Sequence, residues 1–258
     1  MSVFAAGNGK AARLALAVGG LALLLAAWAL GIQWLGREQP LAALLGPGPT
    51  FVSLYELLAG NELTRHVLVS LRRVLVGLGL AFAIGVPLGL AVGVSRPVEA
   101  GTSAAFQFLR MISPLSWMPI AVMVLGVGDA PIYFLLAFAA VWPIMLNTAA
   151  GVRQLDPRWL QLGRSLSATR TETLFRIILP GILGHILTGV RLAIGIVWIV
   201  LVPCEMLGVS AGLGYFILDT RDRLAYSELM AVIVLIGLLG YLLDALARWL
   251  KRAVHAEA

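Results

Sequence analysis

Charge is what this sequence has least of. Only 12% of its 258 residues are Asp, Glu, Lys or Arg, about half of the ~25% usual in a soluble domain. A chain so poor in charge cannot cover a globular core with a polar surface, and 60% of it is apolar. Cysteine is almost missing: Cys204 stands alone, so the chain holds neither a disulfide nor a C-x-x-C pair. The histidines, His66, His185 and His255, lie too far apart in sequence for a zinc pattern. Lysine is confined to Lys10 and Lys251, followed by Ala11 and Arg252, so the Gly-Lys-Ser/Thr of a phosphate-binding loop does not occur. Intrinsic disorder, a disulfide framework and an ordinary soluble enzyme are excluded.

Long apolar runs are what the sequence has in quantity. A hydrocarbon core of about 30 Å needs roughly 20 apolar residues per helix. That ruler predicts an all-α, polytopic membrane protein with about six spans: Leu14 to Leu35, Val74 to Ser95, Phe106 to Val127, Ala130 to Ala150, Ile182 to Met206 and Leu229 to Leu250. A tight Gly126-Val127-Gly128-Asp129 turn separates the third from the fourth, and Arg110, Pro114 and Pro119 interrupt the third. The first run, preceded by Lys10 and Arg13, exceeds the ~7–15 residues of a signal-peptide core and is read as a retained span.

Lys and Arg set the orientation. With the N-terminus inside, six crossings return the C-terminus inside. The inner side then collects Lys10, Arg13, Arg96, Arg110, Arg153, Arg158, Arg164, Arg170, Arg176, Arg248, Lys251 and Arg252. The outer side collects Arg37, Arg65, Arg72, Arg73, Arg221 and Arg223. This two-to-one bias accounts for the net charge of +6 without invoking nucleic acid. Outside, a Leu54, Leu57, Leu58 stripe follows Pro40, Pro47 and Pro49 and predicts an interfacial amphipathic helix.

The inner segment 151–181 changes character. Asp156-Pro157 reads as an N-cap with proline at the first helical position. Trp159, Leu162 and Leu166 then line one face of a helix of about three turns, and Thr169 with Glu172 forms a capping-box spacing for a second helix. An exposed apolar stripe on a capped helix suits a protein docking surface; five arginines suit anionic lipid as well.

The spacing resembles the EAA loop of ABC-importer permeases: Glu-Ala-Ala, three residues, Gly, nine residues, Ile, one residue, Leu-Pro. The slots here are Gln161-Leu162-Gly163, Ser167, Ile177 and Leu179-Pro180, with Gln161 in place of the glutamate and Ser167 in place of the hallmark glycine. Further resemblance runs over about residues 65–250. Ser70-Leu71, Gly77, Gly85 and Pro87-Leu88-Gly89 look like the entry span of that family's core. The stretch Pro114-Leu115-Ser116-Trp117-Met118-Pro119 is similar to one in the nitrate, sulfonate and taurine branch, as are Trp142-Pro143-Ile144-Met145-Leu146-Asn147-Thr148, Gly189-Val190-Arg191, Trp198 and Glu205.

The resemblance implies a type I (MetI-like) architecture. Residues 1–64 would supply an N-terminal span and external amphipathic segment, and 65–258 the permease core with its coupling loop. It also implies a transport subunit that catalyses no covalent reaction and binds no cofactor. ATP and Mg would sit on two partner ATPase subunits, beside an external substrate-binding protein and a second permease copy in a bacterial inner membrane. Trp159, Gln161, Leu162, Gly163, Arg164, Leu166, Ser167, Ala168 and Thr169 would form the element that meets the ATPase.

Candidate pathway residues each carry two readings. Arg191, well inside the fifth span, could attract an anion or pair with a carboxylate at a helix interface. Glu205 is a gate contact or a helix-end ion pair. Asn147 and Thr148 line the pathway or bond between helices. Trp117 and Trp142 form an aromatic constriction or pack in the core. The glycine-rich Gly208–Gly214 segment reads as a tight re-entrant turn rather than a phosphate cradle, and Asp244 with Arg248 as an i, i+4 ion pair. Two rivals remain at this level. An ion-coupled carrier would need a midplane Asp or Glu, and an intramembrane enzyme a partner for His185.

Overall fold

The structure, a computed structural model, describes residues 8–37 and 40–256. Every regular element among them is helical: α1 (Asn8–Leu35), α2 (Pro47–Ala59), α3 (Glu62–Val94), α4 (Arg96–Met111), α5 (Met118–Leu125), α6 (Asp129–Gln154), α7 (Pro157–Ser165), α8 (Arg170–Thr173), α9 (Leu179–Glu205), α10 (Leu213–Asp222) and α11 (Tyr226–Ala256). Five helical runs are long and apolar enough to cross a membrane, and six if one bent pair counts as a single span.

Two compact units emerge, Leu63–Leu218 with Ile236–Ala258, and Met1–Glu62 with Asp219–Leu235. In the latter unit, Trp28 of α1 donates its indole N–H to the Leu45 carbonyl at 3.0 Å and meets the Phe51 ring at 6.4 Å. The predicted amphipathic helix is α2, with Leu57 buried, Leu54 half-buried and Leu58 exposed.

In the larger unit α6 is the central element. Ile132, Leu135, Leu136, Ala140, Ile144 and Met145 are all buried, as are Ile182, Ile186, Ala193, Val197 and Leu201 of α9. Two apolar helices in lipid gain little from hydrophobicity, so close backbone approach has to hold them. A Cβ added at Gly189 of α9 would lie 2.9 Å from the Pro143 carbonyl of α6. On α3, Gly77, Gly85, Gly89 and Gly93 form a seam of the same kind, with a Cβ at Gly89 reaching 2.5 Å from the Met145 carbonyl.

Two predicted spans are corrected. The second is not bounded at Val74: α3 begins at Glu62, so Arg65, Arg72 and Arg73 ride on its first turns instead of an outer loop. At 33 residues it runs roughly 50 Å, longer than the hydrocarbon core, and charge does not end a helix where it leaves lipid. The third is not one straight helix from Phe106 to Val127. It is α4 and a Pro114–Leu125 segment bent by 86°. Pro114 has no N–H and forces the preceding residue out of the helical region; Ser113 (ψ 130°) and Ile112 (ψ 126°) are accordingly extended. The Gly126–Asp129 turn forms as predicted, with positive φ at Gly126 and Gly128.

Candidate functional site

At one end of α6 the inner segment folds into the two helix starts that the sequence predicts. The Asp156 carboxylate accepts the Arg158 N–H at 2.9 Å with Pro157 at the first helical position. α7 spans nine residues, about two and a half turns, slightly shorter than expected. It ends in a Schellman turn: Ala168 N–H donates to the Gly163 carbonyl at 2.9 Å and Ser167 N–H to Arg164 at 3.0 Å. Ser167 sits at φ +54°. The position that resembles the family's glycine therefore does adopt the left-handed conformation for which glycine is suited, and serine carries the strain. Thr169 and Glu172 then close a full capping box, with Thr169 N–H to Glu172 Oε2 at 2.9 Å and Glu172 N–H to Thr169 Oγ1 at 3.2 Å.

Gly163 explains how the two pieces are clamped. A Cβ there would fall 2.7 Å from Ile177 Cδ1, so glycine lets α7 lie against the helical turn Leu174–Ile178 that leads into α9 without displacing the end of the Ile177 side chain. The clamp turns the apolar stripe outward: Trp159 is 57% and Leu166 73% exposed, and Leu162, Gln161 and Arg164 are exposed beside them. The stripe itself forms one wall of a groove of about 750 Å³ that Ile177, Pro180 and His185 also line. His185 Nε2 stands 3.1 Å from Gln154 Oε1.

At the opposite end of α6 the structure assembles a buried ion network that the sequence only hinted at. Glu205 is fully buried and Arg73 is 3% exposed. Arg73 Nη1 donates to Glu205 Oε1 at 2.8 Å and to the Ala211 carbonyl at 2.6 Å, while its Nε and Nη2 donate to Asp129 Oδ1 at 2.9 and 2.6 Å. Ser70 Oγ lies 2.8 Å from both Glu205 oxygens and accepts the Leu213 N–H at 2.9 Å. Gly214 N–H donates to Glu205 Oε2 at 3.0 Å, and Gly212 N–H to His66 Nδ1 at 3.2 Å. The glycine-rich turn thus does cradle an anion, but an internal carboxylate. A Cβ at Gly212 would meet Glu205 and Arg73. Ser70, Arg73, Asp129 and His66 were missing from the sequence-level candidates. The available signal was Glu205, a carboxylate at the end of an otherwise apolar span, which requires a cation from elsewhere.

The other candidates are distributed along the helices. Asn147 Nδ2 donates to the Pro143 carbonyl and Thr148 Oγ1 to Ile144, each at 2.8 Å, so both side chains bond one turn back on α6. Arg191 Nε donates to Asp244 Oδ1 of α11 at 2.9 Å, and Arg248 pairs with the other Asp244 oxygen as its i, i+4 spacing predicts. Trp117 and Trp142 both pack on Phe138, with ring centroids 5.7 and 5.6 Å away. No cluster able to hold a metal ion occurs among the described residues.

The chain resembles known proteins along most of its length. It is 38% identical over 189 residues to the bicarbonate transport system permease protein CmpB of Synechococcus elongatus, covering 72% of this chain and 68% of that one. It is 33% identical to the nitrate import permease protein NrtB of Synechocystis (73% and 69% covered), and 30% identical to the putative aliphatic sulfonates transport permease protein SsuC of Bacillus subtilis (90% and 83%). Among solved structures, a chain of the MetNI methionine ABC transporter in an inward facing conformation matches with a TM-score of 0.62 at 20% identity, over 74% of this chain and 95% of that chain, which shows a shared fold. The family model for the binding-protein-dependent transport system inner membrane component matches residues 85–256. The chain belongs to that family: it is a membrane-spanning permease subunit of an ABC importer.

Proposed function

We propose that this multi-pass inner-membrane subunit forms, with a second copy of itself, the pathway for a small oxyanion or sulfonate, driven by two separate ATPase chains and fed by an external binding protein. Relatives named for bicarbonate, nitrate and sulfonates support that substrate class. Both termini and the segment 151–181 face the cytoplasm, as the arginine distribution supports.

The observation that carries the reading is the clamped α7. A short helix capped at both ends, with a rigid turn and an outward apolar stripe of Trp159, Leu162 and Leu166, is built to transmit force and not merely to join two spans. The residues Gln161 through Thr169 would seat in the ATPase, and closure of the ATPase pair would move α6 and α9 as rigid bodies between two openings. Leu166→Asp tests this directly in proteoliposomes holding the chain, its ATPase and the binding protein. Uptake is expected to fall at least tenfold while ATP hydrolysis persists and the chain still inserts. Normal uptake by that variant overturns the docking role.

A further inference from the structure

Two buried polar atoms of the larger unit have no acceptor among the described residues: the indole Nε1 of Trp117 and the indole Nε1 of Trp142. Buried polar groups are hydrogen-bonded with few exceptions, and an exception calls for an account. These two are not scattered. Trp117 closes the turn Pro114–Trp117 at which the chain resumes after the 86° break, and Trp142 immediately precedes Pro143 of α6. Both rest on the same Phe138 ring, and Phe106 of α4 lies 5.9 Å from Trp142. α4, the broken turn and α6 therefore share one aromatic cluster. Trp142 stands some 18–20 Å from either end of α6 at 1.5 Å per residue, halfway along the helix.

We infer that Trp117 Nε1–H and Trp142 Nε1–H are the donors that hold a small oxyanion at mid-span during its passage, an inference resting on the oxyanion reading above. The indole N–H donates and never accepts, so whatever partners these two groups has to be an acceptor, and a cation is excluded. The surrounding charge agrees. Residues 100–128 and 130–155 contain no Asp or Glu, and Arg110 and Arg153 are their only charged residues. The carboxylates of α4 and α6, Glu99 and Asp129, sit in the first turns of those helices and pair with Arg153 and Arg73. Two neutral donors without a fixed cation bind an anion weakly, which suits a pathway that must also release it.

The test reads the two N–H groups themselves. The full chain is labelled with ¹⁵N-tryptophan, placed in lipid nanodiscs, and titrated with sodium nitrate, sodium bicarbonate or sodium methanesulfonate. Sodium gluconate at equal ionic strength serves as control. Of seven indole signals, one per tryptophan, two are expected to move downfield saturably and together with at least one of the three anions. W117F and W142F should each remove one of that pair. The inference is overturned if no indole signal moves, if a different pair moves, or if gluconate produces the same shift. It is equally overturned if the Trp117 and Trp142 signals already lie at a hydrogen-bonded position before anion is added, as a water or a partner's carbonyl would leave them. In the complete transport complex, the W117F/W142F double variant should lose at least tenfold in anion uptake while its ATPase stays docked and active. Equal uptake by variant and parent overturns the donor role and leaves the permease reading standing. No uptake by the parent with any of these anions defeats the oxyanion reading itself.

Discussion

Arg73 is the residue whose placement demands the most explanation. A guanidinium 3% exposed survives beside lipid only because each face meets an acceptor: Glu205, Asp129 and the Ala211 carbonyl. Removing one member of a buried pair leaves an uncompensated charge and costs about 3–5 kcal/mol, whereas replacing both by apolar groups is often neutral. Arg73→Met should therefore lower stability by about 3–5 kcal/mol, read as thermal unfolding of the detergent-solubilised chain, and adding Glu205→Leu should restore more than half of the loss. A single variant as stable as the parent would show that the network does not hold these helix ends together. At this scale the sequence was half legible. Glu205 announced a missing partner, but Arg73, beside the equally basic Arg72 and 132 positions away from Glu205, carried no mark of pointing inward. Both arginines reach Asp129, Arg72 from the exposed side at 4.0 Å and Arg73 from the buried side at 2.6 Å, and which of the two also meets Glu205 is decided by how α3 packs.

Elements were legible where local chemistry decides and illegible where packing does. The caps of α7 and α8 rest on Asp156, Pro157, Thr169 and Glu172, each acting within three residues, and all formed as read. The bend after α4 also has a local cause in Pro114, yet a hydropathy ruler counts apolar length and is blind to direction, so it joined two pieces into one span. The start of α3 was misplaced for the same reason. The glycine seam of α3 belongs to the packing class: Gly79 and Gly89 look alike in sequence, but a Cβ at Gly79 meets nothing within 4 Å while one at Gly89 would crowd the Met145 carbonyl and Thr148. Overpacking a close helix contact costs about 1–3 kcal/mol. Gly89→Leu should accordingly destabilise the chain by about 3 kcal/mol, and Gly79→Leu should be tolerated within about 0.5 kcal/mol, the usual range for a surface change. Equal sensitivity at both positions, measured by the same unfolding assay, would remove the seam from the account of how α3 and α6 associate.

For the whole molecule the deciding quantity is parity. Five continuous runs are long and apolar enough to cross, and the bent pair of α4 and Pro114–Leu125 supplies the sixth crossing: α3 and α6 run parallel, Gly77 against Leu136 and Gly93 against Val152, so the chain between them has to return from one face to the other. The two cases differ in a way that one labelling experiment reads. With six crossings, the start of α1 and the α7 segment lie on the same face. With five, they lie on opposite faces, because the pair returns the chain to the side it left. Cys204 is the sole cysteine and is buried, so a cysteine introduced elsewhere reacts against a silent background. Ala12 and Leu166 are both exposed. Ala12→Cys and Leu166→Cys are each expected to take up a membrane-impermeant maleimide in inside-out vesicles and to resist it in right-side-out ones, with Arg221→Cys behaving in the reverse sense. Labelling of Ala12→Cys and Leu166→Cys from opposite faces would make the bent pair a re-entrant segment. It would also overturn the proposal that the N-terminus and the α7 segment share the cytoplasmic face, which the distribution of Lys and Arg supports.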